Sequence, residues 1–175
     1  MQPSELKEKF VQLWGTVGME WGINKTMAQL HGLLLASDHA LTTDQIMSAL
    51  TISRGNANMN LRDLMIWGLI YRESRPGERK EYFYAEKDIW EVAQKIARER
   101  TKRELHPMMK TLEHLLKEID NETPFGPEEI AFKKVLVDIH SLGKKCDQLL
   151  ETVLKFEQNR FFKPILSLIR NKNNG

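Results

Sequence analysis

Apolar residues recur at spacings of four and three along most of this chain, and one stretch alternates instead. Leu6, Phe10, Leu13, Val17 and Trp21 make the first stripe, the signature of an amphipathic helix. Ser4 is its expected cap. Gly15, Gly18 and Gly22 are expected to weaken its end. From Lys25 to Ser37 the run MAQLHGLLLA is apolar nearly all round, which predicts a helix at the centre of a small helical domain. Thr43 is the expected cap of the next helix, with Ile46, Met47 and Leu50 facing inward. The tripeptide TIS breaks it. Ser53 then caps a helix running to about Trp67, with Leu61, Leu64, Met65 and Trp67 on the buried face and Gly68 at its stop.

From Leu69 to Ser74 the pattern alternates with β character, and Arg75-Pro-Gly-Glu-Arg-Lys reads as a turn before Glu81 to Ala85 return. This predicts a hairpin. After Asp88 the helical period resumes through Ile89, Val92, Ala93, Ile96 and Ala97 to Leu105, and Pro107 should kink or divide the helix. Met109, Leu112, Leu115, Leu116 and Ile119 continue the stripe. Asn121 to Glu129 read as a loop, although Glu128 and Glu129 follow a proline and suit the first turn of a helix. Val135, Ile139, Leu142, Cys146, Leu149, Val153 and Phe156 then alternate spacings of 4 and 3, a coiled-coil seam rimmed by Lys, Asp and Glu. The tail RFFKPILSLIR has apolar content interrupted by proline, and NKNNG is expected to fray.

Composition adds limits. With 175 residues, 41% of them hydrophobic and 29% charged, the chain can bury a core and stay soluble. The net charge of +2 is too mild to indicate a nucleic-acid partner, so its distribution decides. Between Ser53 and Lys80 stand six basic residues (Arg54, Arg62, Arg72, Arg75, Arg79, Lys80) against three acidic ones (Asp63, Glu73, Glu78). Cys146 is the lone cysteine, so no intramolecular disulfide can form. The N-terminus lacks an apolar signal core and no stretch is apolar enough to span a membrane. A cytoplasmic location is expected.

The helix opened by Ser53 carries the most suggestive chemistry. Ser53, Arg54, Gly55, Asn56, Asn58 and Asn60 crowd its start, although Asn is a poor choice for a helix interior. Asn can contact adenine with two hydrogen bonds and Arg can do the same with guanine, while Ser53 can cap the helix and face a phosphate. A loose, solvated helix start is the plain alternative. Arg75, Arg79 and Lys80 bracket the hairpin tip as a cationic finger, and Thr43 and Arg62 complete the candidate DNA contacts. Tyr82, Phe83 and Tyr84 read mainly as structural. His31, His39, His106, His114 and His140 lack metal-ligand spacing, so neither metal, cofactor nor catalysis is expected. His31, inside an apolar helix, reads as a satisfied core residue.

The run LxxSRGNANMNLRDLMIWGLI, followed by PGERKEYFYAEKDIW, resembles the GbsR-type branch of the MarR family of winged-helix transcriptional regulators. The resemblance covers roughly Leu6 to Leu116. It implies a mainly α fold with a small β-hairpin wing, a winged helix-turn-helix plus long dimerisation helices. It also implies a homodimer on operator DNA, with Ser53, Arg54, Asn56, Asn58, Asn60 and the wing residues Arg75, Arg79 and Lys80 facing the duplex. The expected segments are 1–24, an N-terminal helix for dimer and effector contacts; 25–87, the DNA-binding unit; 88–120, a linking helix kinked at Pro107; and 128–170, the heptad helix and tail.

Regulators of this type respond to small molecules between reader and dimer helices. The expected lining is Phe10, Trp14, Trp21, Trp67 and Trp90, and the branch's association with choline suggests a quaternary ammonium held by cation–π attraction. The alternative is that these rings are core. Leu6, Leu13, Val135, Ile139, Leu142, Cys146, Leu149 and Val153 are the expected dimer contacts, unless the stripes pack within one subunit. The expected function is a sequence-specific regulator, a repressor, on double-stranded palindromic DNA, its half-sites about 34–36 Å apart. The alternatives are a winged-helix protein-interaction module and an enzyme using a histidine.

Overall fold

A computed structural model describes residues 2–121 and 126–158. The apolar tail and its polar end lie outside the described residues, as do residues 122–125 of the expected loop. Contacts divide the chain into two compact units, Met1–Ala97 and the residues from Arg98 onward.

In the first unit, helix α1 runs Pro3–Glu20. Its cap is Gln2 rather than Ser4. Pro3 occupies the first helical position, where its missing N–H has no partner to lose, and the Gln2 backbone N–H donates to Glu5 Oε2 at 3.2 Å. Gly15 and Gly18 do not fray the helix end; both are buried against α2, Lys25–Ala36. A Cβ on Gly18 would stand 2.4 Å from the Ala28 Cβ, so these glycines set how closely the two helices approach. Gly22, at φ +74°, turns the chain toward Asn24, whose side chain caps α2 by accepting from Met27 N at 3.2 Å.

Strand β1 (Leu41–Thr42) leads into α3 (Thr43–Leu50). The cap is Thr42, not Thr43. Thr42 Oγ1 accepts from Gln45 N at 3.3 Å and Gln45 Oε1 accepts from Thr42 N at 2.8 Å, a reciprocal capping box. Thr51 ends α3 at φ +54°, a left-handed conformation that a β-branched residue adopts under strain. Ser53 caps α4, Arg54–Ile66, and Gly68 follows at φ +70°.

Strands β2 (Ile70–Ser74) and β3 (Glu81–Ala85) pair antiparallel with Arg72 opposite Phe83. β1 adds to the other edge of β3, giving the order β1-β3-β2. Two residues are too few to show alternation, which is why β1 had no sequence signal. Leu30, Leu34, Ile46, Leu61, Leu64, Ile70, Phe83 and Val92 close the core. Lys87 Nζ donates to the carbonyls of Leu34, Leu35 and Ser37 at 2.8, 2.8 and 2.6 Å, satisfying orphan acceptors at the end of α2.

Helix α5 (Ile89–Arg100) is capped by Asp88 Oδ1, which accepts from Trp90 N at 2.9 Å. Val92 is its buried anchor, whereas Ile89, expected inside, is exposed. A π-helical segment, Thr101–Leu105, then leads into α6, His106–Asn121. Pro107 cannot donate a backbone hydrogen bond, and the helix widens just before it, with His106 N–H donating to Thr101 O. The expected break at Pro107 coincides with this change of winding.

Helix α7 spans Pro127–Gln158, so the expected loop is shorter and Pro127, Glu128 and Glu129 form a helical first turn. In this second unit Leu136 of α7 buries against Met109 and Leu112 of α6. The seam positions Val135, Ile139, Leu142, Cys146, Leu149 and Val153 are all exposed.

Candidate nucleic-acid interface

The 3.6-residue period of α4 sorts its polar start into two faces. Ala57, Asn60, Leu61 and Leu64 are buried, while Arg54, Gly55, Asn58, Met59, Arg62 and Ile66 are exposed. Asn60 was expected on the outer face and is only 1% exposed. It stands two residues from Asn58, half a helical turn round the axis, and so points inward. Its Nδ2 donates to Asn56 O at 2.8 Å and to Asn56 Oδ1. This bond also changes what Asn56 can do. Pairing with an adenine edge uses both the amide oxygen and the amide nitrogen, and the Asn56 oxygen is already engaged. Of the three asparagines, Asn58 alone presents an exposed amide with no hydrogen bond among the described residues.

Ser53 Oγ accepts from Asn56 N at 3.3 Å, which fixes the first turn. Arg54 pairs with Asp44 of α3, both exposed, a link of little net strength in water that another anion can replace. Thr43 is half-buried in the first turn of α3, and Arg62 is exposed on α4.

The hairpin turn is shaped by Gly77 at φ +80°. Its cations are not equivalent. Arg75 Nη2 bonds Glu73 Oε1 at 3.1 Å and its guanidinium lies 3.9 Å from the Tyr82 ring centroid. The Glu73 carboxylate raises the Arg75 pKa and offsets its charge. Arg79 and Lys80 are exposed and have no ion-pair partner among the described residues. The base of the hairpin is fastened to α5. Tyr71 OH donates to Glu86 Oε2 at 2.8 Å, and Lys95 Nζ donates to Tyr71 OH at 2.9 Å and Glu86 Oε2 at 3.1 Å. The Tyr71 hydroxyl, with the Asp88 N–H and Lys95, lowers the Glu86 pKa to about 2.

Two helices across a tight turn, the second with an exposed polar face, are followed here by a basic hairpin. A crystal structure of a transcriptional regulator matches this arrangement over 88% of this chain and 99% of its own, with a TM-score of 0.69 and 21% identity. The fold is a winged helix. Wild-type MarR from E. coli in its apo form is 17% identical over 67% of this chain and 90% of its own, with a TM-score of 0.38. A mutant S. aureus MepR bound to an oligodeoxyribonucleotide is 18% identical over 83% and 91%, again at 0.38. No family model and no curated protein matches the chain.

Within the winged-helix unit, residues of α1, α2 and the end of α4, with Leu69 and with Ile96 of α5, line a cavity of about 60 Å³. Trp14, Trp21 and Trp67 line it; Phe10 and Trp90 do not. Phe10 instead sits on Trp14, one helical turn further along the same face of α1, with ring centroids 5.5 Å apart, and Trp90 is exposed. His31 also lines the cavity and is 2% exposed. It is only half satisfied. Trp14 Nε1 donates to Nδ1 at 3.2 Å, while Nε2 has no partner among the described residues. Burial, with the positive charge of Lys87, lowers the His31 pKa to about 4.

Sequence reasoning missed Met59 and Ile66, apolar side chains exposed on the outer face of α4. Their signal was available, since both fall opposite Leu61 and Leu64 on a helical projection. Leu6 and Leu13 are exposed on α1. Among the described residues no cluster of His, Cys, Asp or Glu could hold a metal ion, and no helix is long and apolar enough to cross a membrane.

Proposed function

We propose that this chain is a sequence-specific DNA-binding transcriptional regulator of the MarR type, in its GbsR-like branch, acting as a repressor by occupying a palindromic operator. The observation that carries the reading is the outer face of α4. It presents Arg54, Asn58, Met59 and Arg62 beside a wing tip whose Arg79 and Lys80 are exposed. A helix with that face fits a major groove, and the tip supplies backbone contacts. Ser53 caps the reading helix, and Thr43 and Arg75 flank the contact surface.

One reading helix spans few base pairs, so the reading requires two copies. The exposed seam of α7 and the exposed Leu6 and Leu13 are the surfaces that would hold them together. Sedimentation should give a dimer at micromolar concentration, and replacing Leu142 and Leu149 with Lys should give monomer. A wild-type monomer would overturn this part. The cavity lined by Trp14, Trp21 and Trp67 is the effector site of the same reading, where a ligand would shift the spacing of the two reading helices.

Met59 and Ile66 favour one other reading, in which α4 docks on an apolar protein surface. A salt titration separates the two. Phosphate neutralisation makes the logarithm of affinity fall steeply with the logarithm of salt, whereas an apolar protein contact does not.

A further inference from the structure

Deep inside the winged-helix unit the Nε2 of His31 is buried with no hydrogen-bond partner among the described residues. The Trp14 indole N–H can only donate, so Nδ1 of His31 must be the accepting nitrogen at the 3.2 Å contact between them. In the neutral ring the proton therefore sits on Nε2, the nitrogen with no partner among the described residues. Protonating Nδ1 as well would set two N–H groups against each other. Burial and the Lys87 charge act in the same direction, so the ring stays neutral at physiological pH. The result is a buried N–H on a residue that lines a cavity otherwise walled by indole and aliphatic groups. A buried donor left unmade costs roughly 1–3 kcal/mol, and an acceptor placed there recovers it.

The same walls disfavour a cation. No carboxylate lines the cavity. The charge acting on His31 is the Lys87 ammonium, held over the end of α2 by three carbonyls. A quaternary ammonium would gain the indole faces, but it would lose its hydration with no counter-charge, and it has no lone pair to offer the histidine.

We propose that this cavity receives a small, uncharged, largely apolar molecule with one hydrogen-bond acceptor, held by His31 Nε2–H, and that it rejects quaternary ammonium ions. The proposal rests on the effector reading and replaces the choline expectation with a different ligand class. Trp14 acts as a positioning residue by fixing the tautomer, and the size of the cavity limits the ligand to a few heavy atoms unless the Trp21 side opens.

Four probes test it on the full chain without DNA, so its failure is separate from failure of the DNA-binding reading. Cyclopentanone carries one carbonyl acceptor, cyclopentane has nearly the same shape with none, and tetramethylammonium and choline are the cations. Affinity is read from tryptophan fluorescence, and the His31 Nε2–H proton is read by NMR of histidine-labelled protein. Cyclopentanone should bind about tenfold tighter than cyclopentane, the gain of one hydrogen bond. It alone should shift the Nε2–H resonance. His31→Phe should erase the difference between the two rings. Equal affinity for the two rings, tightest binding of either cation, or no binding of any probe would overturn the proposal. The resonance measurement on wild-type protein decides the matter even if His31→Phe does not fold.

Discussion

Met59 puts a mobile thioether on the reading face between Asn58 and Arg62. It is 54% exposed in the free protein, so more than half of the side chain remains available to a partner. In a major groove the apolar feature that such a side chain can meet is the thymine methyl group. Burying one methyl group is worth about 0.8 kcal/mol, roughly a fourfold change in affinity. Replacing, one at a time, each thymine of a selected operator by uracil removes only that methyl. Fluorescence anisotropy at fixed salt should show about fourfold weaker binding at one or two positions per half-site. With Met59→Ala the uracil penalty at those positions should vanish, although overall binding is weaker. Uracil penalties of equal size in wild type and variant, or none in either, would refute the assignment of Met59 to the groove.

Arg79→Ala should weaken binding to specific and random DNA alike and reduce the salt slope by about one phosphate contact; loss confined to the specific site would contradict the wing's role. Asn60→Leu removes the donor to Asn56, so its urea midpoint should fall by the equivalent of about 1 kcal/mol while its selected sequence should not change, and Asn58→Leu should alter the sequence without changing the midpoint. His31 makes stability pH-dependent. Its folded pKa, about 4, lies below the unfolded value, so the unfolded chain binds the proton more readily and stability is full above about pH 6.5. It should fall by on the order of 3 kcal/mol between pH 6.5 and 4, and the difference curve between wild type and a folded His31→Phe should show that loss.

Much of this was legible in the chain. The Ser53 cap, the Gly68 stop and the β3 strand from Glu81 to Ala85 follow from local rules, because caps, positive-φ turns and alternation each act within a few residues. Errors of two residues at Gln2 and one at Thr42 arose where nearby polar groups compete for one cap and the reciprocal partner decides. Gly15 and Gly18 read as weak points in isolation, and only the closeness of Ala28 and Gln29 makes them packing residues. Asn56, Asn58 and Asn60 are alike in sequence. Their separation comes from helical phase and from one side-chain bond, so the phase was readable and the bond was not. Composition singled out five aromatic residues for the cavity, but which rings face inward depends on how α1 packs on α2. The free nitrogen of His31 is a matter of three-dimensional contact alone.

The outer face of α4 as a base reader, used twice, is the central claim. Selecting bound sites from a random DNA pool with the full chain tests both parts at once. The account predicts an enriched inverted repeat with half-site centres about one helical turn apart, whose identity changes with Asn58→Ala and not with Asn60→Leu. A pool that enriches no sequence, or an asymmetric single site indifferent to Asn58, would contradict it.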